Sequence, residues 1–117
     1  MLLAFGLGFS ARALALRWRE RGLRVAATAR APAPAEHAEG IAGAAFGAAT
    51  PLAEVERLLA EATHVLVSIP PDAGGGEAGD IVLRRLAPAL AAARNVVWLG
   101  YLSSTGVYGD RAGAWVD

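Results

Sequence analysis

Leu2 to Phe5 is a wholly apolar run, and Gly6-Leu7-Gly8-Phe9-Ser10-Ala11 follows it without a break. Few features constrain a fold more. A short apolar run closed by glycines suits a parallel strand buried on both faces. From Ser10 the pattern turns helical, with Leu14, Leu16 and Trp18 among Arg12, Arg17, Arg19, Glu20 and Arg21, and Gly22 follows as a stop. Arg24 to Thr28 then reads as a second strand. Strand, glycine turn, helix and strand within the first thirty residues make a βαβ unit.

The turn fits G-x-G-x-x-A. Its first glycine permits a tight exit from the strand, and its second lets backbone approach a pyrophosphate. The small third residue brings helix and strand close, and the helix N-terminus offers free N–H groups and a positive dipole end. Gly6, Gly8, Phe9, Ser10 and Ala11 are therefore candidate cofactor-binding residues. An ordinary βα turn would show the same short pattern. A site selective for NAD places an acid at the end of the second strand, about 20 residues beyond the glycines. Here that stretch reads Thr28-Ala29-Arg30. The arginine can pair with a 2′-phosphate, so Thr28 and Arg30 point to NADP rather than NAD. The competing reading of Arg30 is a solvated surface arginine.

Further along, a strand at Ala44 to Phe46 and a helix at Pro51 to Ala62 are expected, with Thr50 as its cap. Ala31 to Ala35 and Gly74 to Gly76 read as loops. His64 to Ile69 is a buried strand stopped by Pro70-Pro71, Asp80 to Ala93 a helix that Pro88 can kink, and Val96 to Leu102 the last strand. Strands alternating with helices imply an α/β fold: a doubly wound parallel sheet of about five strands, Rossmann-type, in one domain over residues 1–117. In such a sheet ligands lie beyond the carboxyl ends of the strands, which brings Ser68, Ile69 and Pro70 to the cofactor groove. The fifth strand delivers Ser103-Ser104-Thr105 to the same edge. Hydroxyls there can hydrogen-bond a substrate oxygen near a nicotinamide, or bond local backbone in a turn.

Taken together, GLGFSARAL at 6–14, LVSIPPD at 66–72 and above all YLSSTGVYGD at 101–110 resemble the extended short-chain dehydrogenase/reductase superfamily. The likeness is to its NAD(P)-dependent epimerase/dehydratase group, specifically its small atypical members. The resemblance implies an oxidoreductase or epimerase acting on a carbonyl- or hydroxyl-bearing metabolite, a nucleotide sugar among the candidates. It assigns the polarising of the substrate oxygen to Ser104, with Thr105 able to substitute. A Tyr-x-x-x-Lys helix normally follows as general acid/base. The sequence stops at Asp117 and contains no lysine, so that part is missing. A non-catalytic dinucleotide sensor and an inactive self-associating fragment are the alternatives.

Composition narrows the partners. Eleven arginines balance eleven acids, and a net charge of zero gives no electrostatic case for nucleic acid or an acidic membrane surface. Without cysteine there is neither a disulfide nor a thiolate nucleophile, which fits a cytoplasmic location. No stretch approaches the ~18 apolar residues of a membrane span. Ala11-Arg12-Ala13 mimics a signal-cleavage site, but no positive residue precedes the apolar run. His37 and His64 have no nearby acidic partner in sequence, and no metal site is expected. An end inside Ala114 to Asp117 is expected to leave the sheet edge unpaired and Trp115 exposed, favouring marginal stability and self-association.

Overall fold

The computed structural model describes residues 1–31, 39–72, 79–103 and 111–115. Among these, the elements are β1 (Leu2–Phe5), α1 (Phe9–Glu20), β2 (Val25–Ala29), β3 (Ala42–Ala45), α2 (Ala53–Glu61), β4 (His64–Val67), α3 (Ile81–Ala92) and β5 (Trp98–Tyr101). The strands form one parallel sheet in the order β3-β2-β1-β4-β5. This is the doubly wound Rossmann-type arrangement. The chain steps outward from β1 to β3, then returns to the other side of β1 for β4. Register carries the consequence: Phe5 lies opposite both Thr28 and Val67, so Gly6, Ala29 and Ser68 leave the sheet side by side.

β1 is central, and its side chains divide the core. Leu3 and Phe5 face α2 and α3 with Phe46, Val55, Leu58, Val82 and Leu86. Leu2 and Ala4 face α1, where Ala11 and Ala15 pack among Val25, Ala27 and Leu66. The whole of β1 is buried, as an apolar strand between two helical layers must be. Trp18 closes the α1 layer with its ring edge-on to His64, 4.9 Å between centroids.

Helix ends follow local chemistry. Gly22, at φ 73°, terminates α1: its N–H bonds the Arg19 carbonyl and the Leu23 N–H bonds that of Trp18, a pairing that needs a left-handed residue. The expected Thr50 cap is not made. The α2 cap position falls at Leu52, whose side chain has no acceptor to offer, and the Thr50 N–H bonds the Gly47 carbonyl. β3 begins two residues earlier than expected, and β4 and β5 are shorter than the apolar runs containing them. α3 runs unbroken through Pro88, which is exposed, so solvent can serve the carbonyl that proline leaves unbonded.

Asp80 links α3 to β5. One carboxylate oxygen accepts the N–H groups of Val82 and Leu83 at 2.8 and 2.9 Å, and the other accepts the Tyr101 hydroxyl at 2.7 Å. Three donors and a helix N-terminus allow this carboxylate to be buried. The bond to Asp80 pushes the Tyr101 phenol above its ordinary range, and desolvation adds to the shift. A phenol raised in the folded state stabilises fully below its unfolded value of about 10, and that contribution is lost as pH climbs through the folded value. Tyr101→Phe is expected to cost about 1 kcal/mol near neutrality. Urea melts should show its deficit against wild type shrinking above pH 10. A deficit that stayed constant above pH 10 would mean that the bond to Asp80 is not the source of the hydroxyl's contribution.

β5 is the outer strand among the described residues, and apolar side chains on and beside it remain open to solvent. Val97 is 75% exposed and Leu99 52%. The Trp98 ring lies across Gly100, where a Cβ would collide with it. Trp115 is fully exposed. Among the described residues no helix is long and apolar enough to cross a membrane.

Candidate functional site

The crevice expected where strand order reverses is present. A cavity of about 520 Å³ opens at the carboxyl edge of the sheet. Gly6 and Leu7 border it from the β1 exit, Thr28, Ala29 and Arg30 from β2, and Phe46, Gly47 and Ala48 from β3. Ile69, Pro70 and Asp72 follow β4, and Ile81 and Arg84 lie on the first turn of α3. That volume is in the range of pockets that hold small molecules, ~300–1,000 Å³.

The glycine turn is braced from two sides. Gly6 has φ 86°, a conformation that disfavours any side chain. Its N–H donates to Oγ1 of Thr28, which is fully buried, at 3.2 Å. From the β4 side, Ser68 Oγ lies 3.0 Å from the Phe5 carbonyl and 3.2 Å from that of Gly6. A Cβ on Gly6 would sit 3.0 Å from that oxygen and 3.1 Å from Ile69 Cγ1. Close packing around the turn therefore requires glycine. At Gly8 the reason differs: no atom lies within 4 Å of a Cβ placed there. Gly8 begins α1 with no side-chain cap, and no acid in the first turn offsets the helix dipole. Arg12, in that turn, pairs with Glu39 and holds its carboxyl below the usual range.

Of the residues expected at a cofactor, Gly6, Thr28, Arg30, Ile69 and Pro70 border the cavity. Ser68 braces the turn, and Ala11 is buried between helix and sheet. Gly8, Phe9 and Ser10 lie outside the cavity wall, exposed at the start of α1, with the Phe9 ring 93% open to solvent. Ser104 and Thr105 lie outside the described residues, as do His37, Tyr108 and the glycines at 74–76. Arg30 is exposed and has no ion-pair partner among the described residues.

The sequence did not point to the β3 exit or to Arg84. Phe46 packs edge-on against Phe5 at 5.4 Å, and Arg85 reaches over its ring to donate to the Gly47 carbonyl. These contacts tie the β3 loop to α3 and bring Arg84 to the cavity. A helix following the fourth strand, with arginines in its first turns, was the available signal. Among the described residues no cluster of His, Asp or Glu could hold a metal ion.

Fold and cavity define a Rossmann-type domain with a ligand-sized crevice at its switch point. No protein-family model matches the sequence, and a search of curated proteins finds no match. Among solved structures, the chain is similar to a conserved protein of unknown function from Silicibacter pomeroyi. Identity is 39% over 98% of this chain and 39% of that one, with a TM-score of 0.75. It also shares its fold with D-mandelate dehydrogenase from Rhodotorula graminis, in its holo form, at 18% identity and TM-score 0.53. There the match covers 94% of this chain and 38% of that one. The NAD-complexed D-isomer-specific 2-hydroxyacid dehydrogenase from Lactobacillus delbrueckii ssp. bulgaricus matches at 16% identity and TM-score 0.51, over 94% and 37% of the two chains. This chain spans about two-fifths of the length of each of these structures.

Proposed function

We propose that residues 1–117 form one cofactor-binding domain that takes an NADP-type dinucleotide along the carboxyl edge of the sheet. The observation that supports this best is the Gly6 turn, held by Thr28 and Ser68 at the switch point beside a cavity of about 520 Å³. The pyrophosphate would rest on the backbone from Gly6 to Gly8, where the uncapped start of α1 offers N–H groups and open space. Ile69 and Pro70 would flank the ribose on the β4 side. Phe9 and Ser10 would meet the phosphates at the rim.

Arg30 accounts for the preference for NADP over NAD: it stands where a 2′-hydroxyl-binding acid would be, and the stretch from Thr28 to Arg30 has no carboxylate. The holo and NAD-complexed dehydrogenases that share the fold support a nicotinamide dinucleotide as the ligand class. A bound nicotinamide gives or takes up hydride. In a longer parent protein of the cytoplasm, Ser104, with Thr105 as substitute, would orient the oxygen of a carbonyl- or hydroxyl-bearing metabolite such as a nucleotide sugar. That part rests on the resemblance of residues 101–110 to the extended short-chain dehydrogenases/reductases.

Titration of NADPH and NADH, followed by nicotinamide fluorescence, tests the cofactor. NADPH is expected to bind more tightly. Arg30→Ala should remove a charge-assisted phosphate contact and weaken NADPH about 10- to 100-fold while leaving NADH nearly unchanged. Binding of neither nucleotide would reduce the glycine turn to a structural βα corner.

A further inference from the structure

We infer that Tyr101 positions the nucleotide cavity from outside it, through its hydrogen bond to Asp80. The inference rests on the dinucleotide reading above and gives a role in binding to two residues that do not border the cavity. Asp72, Ile81 and Arg84 do border it, and all three lie beyond β4 and outside the strands. They meet at one buried junction, Gly79-Asp80. The Asp72 N–H donates to the Gly79 carbonyl at 2.9 Å, and a Cβ on Gly79 would stand 2.8 Å from the Asp72 carbonyl oxygen, so glycine lets the two segments touch. Asp80 then starts α3: one carboxylate oxygen accepts the N–H groups of Val82 and Leu83, and its carbonyl accepts that of Arg84 at 2.9 Å. Ile81 is held between these bonds.

The other carboxylate oxygen ties this junction to the sheet, through the Tyr101 hydroxyl at 2.7 Å. Tyr101 ends β5 and lies opposite Val67 of β4, so the hydroxyl is carried on a strand rather than a loop. A wall fixed beforehand in this way is not ordered at the expense of binding. Ionisation offers a handle on the contact. The chain has two tyrosines and neither lysine nor cysteine, so between about pH 9 and 12 its phenols are the side chains that titrate. Among the described residues, Asp80 is the charged group that acts on the Tyr101 phenol, and it keeps the phenol protonated beyond its ordinary range. Loss of that proton removes the donor and sets a phenolate against the carboxylate.

Fluorescence titration of NADPH from neutral pH to beyond pH 10, with circular dichroism confirming the fold at each point, tests the role. Near neutrality Tyr101→Phe is expected to weaken NADPH about three- to fivefold. Gly22→Ala, destabilised by strain at the far end of α1, should bind as wild type does. Above pH 10 wild type should lose affinity by a similar factor, while Tyr101→Phe stays flat. Asp80→Asn keeps an acceptor for the α3 N–H groups and offers the phenolate a donor, so it should cost less than Tyr101→Phe and lose nothing more above pH 10. Wild-type affinity in Tyr101→Phe, or a fall at high pH that it shares with wild type, would overturn the inference and leave the nucleotide site standing. So would an equal loss in Gly22→Ala, because affinity would then merely follow stability. If wild type binds neither NADPH nor NADH, the dinucleotide reading falls and takes this one with it.

Discussion

Phe5→Ala is expected to destabilise the fold by about 3–5 kcal/mol, the cost of emptying a fully buried aromatic site. Phe5 ends the central strand and has no exposed surface. Its ring meets Phe46 edge-on at 5.4 Å within the cluster that joins α2 and α3 to the sheet. Removing it costs the transfer free energy of the ring, leaves a void, and takes away the aromatic partner of Phe46. A domain of this size has a total stability of roughly 5–15 kcal/mol, so the variant should be partly unfolded or melt at much lower denaturant. Phe9→Ala is the matched control: that ring is 93% exposed, and its loss should move the midpoint hardly at all. Guanidinium melts followed by far-ultraviolet circular dichroism compare the two. Similar midpoints for both variants would mean that the Phe5–Phe46 pair does not anchor the sheet.

Gly6→Ala should combine a loss of stability with a loss of binding. At φ 86° the added methyl costs about 1–3 kcal/mol in backbone strain. It also approaches Ser68 Oγ to 3.0 Å and Ile69 Cγ1 to 3.1 Å. Ser68 cannot swing away without giving up its bonds to the Phe5 and Gly6 carbonyls, so the turn itself has to shift. NADPH affinity is expected to fall more than tenfold, by loss of the backbone approach that a glycine here allows. Gly22→Ala separates strain from site. That residue has φ 73° but open space around it, and it lies at the opposite end of α1. It should be destabilised without losing nucleotide affinity. Wild-type affinity in Gly6→Ala would remove the turn from the binding site.

How far the sequence could be read depended on whether local pattern or tertiary register set the outcome. β1, α1 and β2 were legible because an apolar run, two glycines and a helical period agree along one stretch. β3 was hard to see: Ala42-Gly43-Ala44-Ala45 has no strand-forming side chain, and it is a strand because β2 offers it a parallel edge. In the site, Gly6, Thr28, Arg30, Ile69 and Pro70 followed from strand exits in a doubly wound sheet. The bracing roles of Thr28 and Ser68 did not, since a hydroxyl finds its partner only once strand register is set. Arg84 was missed for a related reason. Which face of α3 meets the cavity depends on the Asp80–Tyr101 and Arg85–Gly47 contacts, both long-range.

The two sides of the sheet differ in what they can tolerate, and the difference follows from residue size. Under α1 the packing partners include Ala4, Ala11, Ala15 and Ala27, with the helix seated close on small side chains. Those alanines leave little to trim, but one methylene added to any of them has nowhere to go. The opposite layer is built from Phe5, Phe46, Leu58, Leu59 and Leu86, where the hazard is a hole rather than a clash. Variation drawn at random should therefore be filtered in opposite directions on the two faces, with alanines retained beneath α1 and bulk retained beneath α2 and α3.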